Sequence, residues 1–209
     1  MRILIFGASG ATGHNLVLQA IKQRHEVTAF VRSTSRLRVR HEALSIFQGD
    51  VLNYQPVEDA IEGHDAVLCA LGAAHPFKRD LVLIKGIRNI TLSMMKLSVK
   101  RFIYLSFLGA DEDREELGFV MNILTPLILK NIIKDHLEKE KIITKSELDW
   151  IIVRPPKLTN GVFTGKYRDG EHIKPRSFFP TISRADVADF MLKQLTSQQY
   201  VHRTPRIMH

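Results

Sequence analysis

The residues best placed to do chemistry lie near the start of the chain, in Gly7-Ala8-Ser9-Gly10-Ala11-Thr12-Gly13. A short β-rich apolar run, Arg2–Phe6, precedes them, and Leu16, Val17 and Ala20 follow at helical spacing. Each glycine has a physical task in such a strand–turn–helix unit. Gly7 lets the chain turn sharply, Gly10 lets the backbone approach a pyrophosphate, and Gly13 lets helix and strand pack closely. Amides left unpaired at the helix start, with its positive dipole end, then receive anionic phosphates. Ser9, Ala11 and Thr12 complete the turn, Ser9 and Thr12 adding hydroxyl donors. Strand before and helix after are both present, so the spacing predicts a dinucleotide cradle and not a bare turn.

The second strand decides which dinucleotide. A site that prefers NADH places an Asp or Glu there, roughly twenty residues on, to accept from the ribose hydroxyls. Nineteen residues after Gly13 stands Arg32, in Phe30-Val31-Arg32-Ser33, with no carboxylate on that strand end. A guanidinium pairs with a ribose phosphate but offers the free diol no acceptor. Ser33, Thr34, Ser35 and Arg36 supply further donors, so the expected cofactor is NADP(H), with NADPH preferred over NADH.

Other chemistries fail on spacing. The Tyr-x-x-x-Lys dyad of common alcohol dehydrogenases is absent: four residues after Tyr54, Tyr104, Tyr167 and Tyr200 stand Glu58, Leu108, Glu171 and Thr204. The nine histidines form no His-x-x-x-His pair and there is one cysteine, so no metal site is expected. Gly7-Ala8-Ser9-Gly10-Ala11 is not the Gly-x-Ser-x-Gly of a serine hydrolase.

Positioning these groups falls to alternating strands and helices. Residues 2–6, 26–31, 44–47, 66–71, 101–105 and 150–153 read as six strands, the fourth apolar throughout, as in a parallel sheet buried on both faces. Helices are expected at 10–23, 56–61, 81–98, 117–133, 136–145 and 185–195, the last capped by Ser183. Residues 157–180 read as Gly-rich and irregular. The fold class is therefore α/β: a Rossmann-type doubly wound parallel sheet, one domain over 1–209 with a small irregular C-terminal substrate region.

The net charge of +8 raises nucleic acid as a partner, and its distribution argues against it. Lys130, Lys134, Lys139, Lys141 and Lys145 alternate with Asp135, Glu138, Glu140 and Glu147, the pattern of a solvated, salt-bridged helix face. The acid-free run Arg32, Arg36, Arg38, Arg40 and His41 follows the second strand, where the cofactor explains it. No segment has the ~20 apolar residues of a membrane helix. Cys69 sits alone in an apolar run, as a small buried hydrophobe in a reducing compartment, so a cytoplasmic protein is expected.

With these residues in view, the chain resembles the atypical short-chain dehydrogenases, most closely the biliverdin-IXβ reductase/flavin reductase family. The likeness runs through residues 5–13, Val31-Arg32-Ser33-Thr34-Ser35-Arg36-Leu37, Gly49-Asp50-Val51-Leu52, Asp65-Ala66-Val67, Leu71-Gly72, Asp135-His136-Leu137 and Val153-Arg154-Pro155-Pro156. It continues in Thr164-Gly165-Lys166-Tyr167 and Ile182-Ser183-Arg184-Ala185-Asp186-Val187. The resemblance implies that Asp50 and Val51 border the adenine. It places Leu71 and Gly72 by the ribose and pyrophosphate, and Leu105, Ser106 and Pro155 along the rest of the cofactor.

It also implies a hydride acceptor that is planar and conjugated: FMN, FAD, riboflavin, a biliverdin-type tetrapyrrole or a quinone-like molecule. Reduction there spreads charge over many atoms, so solvent supplies the proton and the protein mainly orients. Ser106 and His136 are the implied catalytic residues, the histidine with a pKa near neutrality suited to proton donation or phosphate contact. Phe107 stands where the family often has a second serine, and with Pro156 and Lys157 it is expected at the acceptor. Phe77 and Phe163 are further stacking candidates. Each also has a plain reading as a core ring, strand-end hydroxyl, solvent histidine or surface lysine. The alternative function is an NADP(H)-binding sensor that regulates a partner without turnover. A monomer or weak homodimer is expected.

Overall fold

The computed structural model describes residues 1–37, 39–72, 80–109 and 125–209, with backbone alone for Arg36 and residues 125–132. Six strands, β1 (Arg2–Phe6), β2 (Glu26–Val31), β3 (Leu44–Gln48), β4 (Ala66–Cys69), β5 (Arg101–Leu105) and β6 (Asp149–Val153), form one sheet ordered β3-β2-β1-β4-β5-β6. Every pairing is parallel. This is the order of the doubly wound dinucleotide folds, reversing direction between β1 and β4.

Because strand side chains alternate, each strand feeds two cores. Ile3, Ile5, Ala29 and Ile103 meet Leu16 and Val17 of α1 (Ala11–Lys22) and Val187 and Phe190 of α5 (Arg184–Lys193). Leu4, Phe6, Val67 and Phe102 meet Val57 of α2 (Tyr54–Ile61), Ile87 and Met94 of α3 (Leu81–Lys96) and Ile143 of α4 (Thr125–Thr144). Cys69 belongs to this second core, and burial pushes its thiol up to about 12, the behaviour of an inert hydrophobe.

Three expectations need correction. The helices read separately at 117–133 and 136–145 are one continuous helix from Thr125 to Thr144, since no glycine or proline interrupts 133–136. Residues 110–124 and 73–79, Phe77 among them, lie outside the described residues. The irregular tail contains ladders too short for any periodicity to reveal. β7 (Lys157–Thr159) pairs in parallel with β9 (Thr181–Ser183), and β8 (Arg168–Gly170) pairs antiparallel with β10 (Arg206–Met208). Finally, the mixed charges of α4 are not all solvated: Asp135, Lys139 and Glu140 are 3%, 2% and 5% exposed. Among the described residues no helix is long and apolar enough to cross a membrane.

Candidate functional site

A parallel sheet brings all its strand carboxyl ends to one edge, and the crevice opens where the order reverses. Gly7 leaves β1 at that point with φ +80, and a Cβ there would lie 2.6 Å from the Ala70 carbonyl oxygen beyond β4. A Cβ on Gly13 would overlap the Gly7 carbonyl oxygen and come within 2.7 Å of the Ala8 Cα. Only glycine satisfies both positions. Within the turn the Gly10 amide donates to the Gly7 carbonyl at 2.9 Å. The first bond of α1 runs from the His14 amide to the Gly10 carbonyl at 2.8 Å. The amides of Ala11, Thr12 and Gly13 therefore have no acceptor inside the helix. Gly10 offers no capping side chain and the first turn holds no acid, so nothing of α1 competes with an anion there. Ser9, Gly10 and Ala11 are exposed, and Thr12 is buried.

Two cavities flank this turn, both bordered by Ser9. One, of about 440 Å³, is lined by Ser9, Arg32, Ser33 and Ser35. Arg32 is exposed just past β2, and no carboxylate pairs with it among the described residues. Ser35 sits in a single 3₁₀ turn, Thr34–Arg36, its hydroxyl 2.8 Å from that of Ser33. The other cavity, of about 470 Å³, is lined among others by Gly10, His14, Asn160 and Arg184. The Arg184 guanidinium donates to Asn160 Oδ1 at 2.7 Å. Sequence reasoning had missed that wall.

Asp50 and Val51 follow β3, and Leu71 and Gly72 follow β4, on the same edge of the sheet. Asp50 Oδ1 accepts from the Leu52 amide at 3.0 Å and so caps its own turn. Val51 turns inward onto Gly86 of α3 and gives its carbonyl to Asn89 Nδ2 at 2.8 Å. Leu71 is half-buried and Gly72 exposed.

At the end of β5 the polar groups form a chain. The amide of Ser106, which follows Leu105, donates to the Val153 carbonyl at 2.8 Å, fixing the residue against β6. Its hydroxyl donates to Glu140 Oε1 at 2.5 Å, and its oxygen lies 3.1 Å from His136 Nδ1. Glu140 is in turn held by Arg154, whose Nη2 donates to Oε2 at 2.6 Å and Nε to Oε1 at 3.4 Å. Arg154 Nη1 reaches the Thr204 hydroxyl at 3.3 Å. Asp135, one residue before His136, accepts the Asp80 amide at 2.6 Å and so ties α4 to the start of α3. The structure thus brings Ser106 and His136 within hydrogen-bonding distance and adds Glu140 and Arg154. His136 and Glu140 are four residues apart on one helix, a spacing that puts them on one face.

The expected near-neutral histidine is corrected. Burial, and then the nearby Lys139 ammonium, push His136 down to about 3, so at neutral pH it is uncharged. Phe107 packs edge-on against its ring at 4.8 Å between centroids. The tyrosines offer no replacement acid. Burial above all raises Tyr104 well above the ordinary phenol range, and its hydroxyl has no hydrogen-bond partner among the described residues. Tyr167 and Tyr200 are raised by burial and by donating to Asp189 and Asp169, both at 2.6 Å.

Where β5 and β6 leave the sheet, the Leu108 amide donates to the Pro155 carbonyl at 2.7 Å, tying the two exits together. Pro155 and Pro156 are buried, while Lys157 is exposed at the start of β7. Phe163 is exposed beyond β7. Phe178 and Phe179, 81% and 77% exposed, stand just before β9, whose Thr181 pairs with Lys157. No periodicity in the sequence had singled them out.

Known proteins resemble this chain in sequence and fold. The photosystem II assembly factor Ycf39 of Synechocystis is 28% identical over 171 residues, covering 80% of this chain and 48% of that protein. The chain spans about half or less of the length of the curated relatives it matches first. Among solved structures, a putative NAD-dependent epimerase/dehydratase of Bacillus halodurans superposes with a TM-score of 0.81 at 25% identity, covering 100% of this chain and 94% of that one. A short-chain dehydrogenase/reductase of Veillonella parvula in complex with NADP shares the fold, with a TM-score of 0.83 at 16% identity over 100% and 94% of the two chains. A family model described as NAD(P)H-binding matches residues 7–198, and the chain belongs to that NAD(P)H-binding family.

Proposed function

We propose that the protein is an NADPH-dependent reductase of planar conjugated acceptors, flavins such as FMN, FAD or riboflavin first and biliverdin-type tetrapyrroles or quinones next. The observation that carries the cofactor choice is the cavity of Ser9, Arg32, Ser33 and Ser35 beside the turn, with a guanidinium that pairs with no carboxylate among the described residues. That donor set suits a ribose phosphate and leaves a free diol without an acceptor. The amides of Ala11, Thr12 and Gly13, left without acceptors inside the helix, suit the pyrophosphate, and the missing Cβ atoms of Gly7 and Gly13 let the turn close against the backbone of Ala70 and Ala8 so that those amides face one spot. Arg36, Asp50, Leu71, Gly72 and Leu105 complete the proposed cofactor contacts.

When bound, NADPH supplies one hydride; the acceptor takes a proton as well. Among the described residues, neither His136, Ser106 nor a tyrosine is set to give that proton. His136 is uncharged, the tyrosines hold theirs tightly, and the Ser106 proton points to Glu140. An extended conjugated acceptor, which takes its proton from solvent, suits such a site better than a ketone. Exposed Phe178 and Phe179, with Phe107 and Phe163, offer rings for stacking, and Lys157 a cation for a propionate or phosphate. A monomer or weak homodimer in the cytoplasm, without nucleic acid or membrane, is part of the proposal. The test is NADPH oxidation at 340 nm with FMN, riboflavin, biliverdin and a quinone dye; silence with all of them refutes a reductase.

The likeness to an assembly factor favours one second reading, an NADP(H)-binding protein that acts on a partner protein without turnover. Tight NADPH binding with no oxidation under any acceptor, and a stoichiometric co-purifying protein, would select it.

A further inference from the structure

We propose that Glu140 is a positioning residue that decides which nitrogen of His136 carries the proton, holding it on Nδ1 and leaving Nε2 as a bare acceptor. A serine hydroxyl has one hydrogen to give. At Ser106 that hydrogen goes to Glu140 Oε1 at 2.5 Å, because a carboxylate ion-paired to Arg154 at 2.6 Å can only accept. The Ser106 oxygen, 3.1 Å from His136 Nδ1, is left to accept from it. The ring is uncharged and has one N–H, so Nε2 keeps its lone pair. The edge-on Phe107 ring restrains the imidazole plane in that orientation.

The direction of this chain follows from groups with fixed roles: a guanidinium that only donates, a carboxylate that only accepts, and a hydroxyl between carboxylate and imidazole. Its consequence deepens the proposed function and depends on that reading only in this last step. Both labile protons of the Ser106–His136 pair point away from Nε2, toward Glu140. The pair therefore presents a bound molecule with an acceptor at Nε2, suited to an N–H or O–H such as a carboxamide, a ribose hydroxyl or a flavin imide. The acceptor's proton is left to solvent.

Glu140→Gln tests the chain with almost no change of shape. The amide oxygen of Gln must take the Arg154 donors, which turns its NH₂ toward Ser106. The Ser106 hydroxyl, now receiving a hydrogen bond, turns its own proton to His136 Nδ1, and the ring proton moves to Nε2. Nitrogen-15 NMR of the full chain without ligand reads this directly from the couplings of the ring carbon-bound protons to each nitrogen. The expected result is a protonated Nδ1 in the unmodified protein and a protonated Nε2 in Glu140→Gln. An Nε2–H tautomer in the unmodified protein, or an unchanged Nδ1–H in the variant, overturns the proposal. Should Glu140→Gln fail to fold, Ser106→Ala removes the acceptor of Nδ1–H, and loss of the Nδ1–H form is again expected; its persistence overturns the proposal. No acceptor or cofactor enters this measurement. A failure of NADPH to bind the unmodified protein therefore removes the proposed function while leaving the tautomer result intact.

Discussion

The glycine turn after β1 and the polar chain between β5 and α4 lie on the same edge of one sheet, yet they are built from different materials. The turn is made of backbone: positive φ at Gly7, the missing Cβ atoms of Gly7 and Gly13, and three amides at a helix end. Most of its partners lie within a few residues along the chain, the exception being the Ala70 carbonyl against Gly7. The polar chain is made of side chains from β5, α4, β6 and the C-terminal segment, and its longest link joins Arg154 to Thr204. Steric rules at Gly7 and Gly13 admit glycine alone. In the polar chain a carboxylate means one thing in solvent and another against a buried guanidinium, and only the tertiary neighbours say which.

Breaking the turn should therefore cost the most. Gly13→Val drives a branched side chain into the Gly7 carbonyl and Ala8, both backbone atoms that cannot rotate aside. NADPH affinity is expected to fall by about a hundredfold or more, ~3 kcal/mol. Titration by quenching of the reduced nicotinamide fluorescence checks it, with a melting curve to separate loss of site from loss of fold. Affinity within threefold of the unmodified protein would mean that the pyrophosphate lies elsewhere.

Arg32→Ala leaves that backbone cradle intact and removes one side chain from its edge. The unmodified protein should bind NADPH at least about tenfold tighter than NADH, and the variant should bind the two about equally, because one charge-assisted pair is worth roughly 1.5–3 kcal/mol. Equal dissociation constants in the unmodified protein would show that the cavity beside Arg32 does not read the ribose phosphate.

The same contrast explains what the sequence disclosed. All six strands of the sheet were legible because alternation, unbroken apolar runs and glycine punctuation act within a few residues. The cradle was legible because glycine spacing is a local steric statement. Arg32 was legible by counting from Gly13. Lys139 and Glu140, by contrast, look like any alternating charge on a solvated helix, and both are buried. His136 looked like a near-neutral titrating group because its burial under α4 packing leaves no mark on neighbouring letters. The strands of the tail were hidden because three-residue ladders have no period to read. The resemblance places Val51 at the adenine, and the packing of its side chain on Gly86 is a tertiary contact that no local pattern announces.

A second carboxylate sharpens the comparison, because it combines both materials. Asp186 is fully buried at the start of α5 and accepts from the amides of Thr164 and Gly165, the hydroxyls of Thr164 and Ser183, and His209 Nε2, at 2.8–2.9 Å. It pins the segment after Asn160 and Gly161, which line the second cavity. Burial pushes its pKa up, but the Thr164 amide, His209, the Gly165 amide and Ser183 together hold it at about 2, against an ordinary 3.8. A carboxyl depressed in the folded state lends stability above its unfolded pKa and loses it as pH falls through the folded one. Asp186 should thus contribute about 2 kcal/mol at neutral pH, lost between roughly pH 4 and pH 2. Asp186→Asn should lower the melting temperature by several degrees at pH 7 and flatten its fall below pH 4. An acid limb as steep as before would mean that this carboxylate is not what acid titrates.

The smallest expected effect is a null one, and it tests the side-chain half of the comparison most directly. If burial and Lys139 set the charge of His136, its ring stays neutral from pH 8 to pH 5, and its Cε1 proton resonance does not move across that interval. Stability behaves accordingly. A histidine whose folded pKa lies below its unfolded value costs stability as pH falls from about 6.5, because only the unfolded chain takes up the proton readily. His136→Gln, which keeps an amide donor for the Ser106 oxygen, should reduce that loss between pH 6.5 and 4 without adding a new ionisation to the rate of NADPH oxidation. A resonance titrating between pH 5 and pH 8 would instead return His136 to the role of a proton donor. The chain from Arg154 through Glu140 to Ser106 would then end on an imidazolium, and the acceptor would no longer need its proton from water.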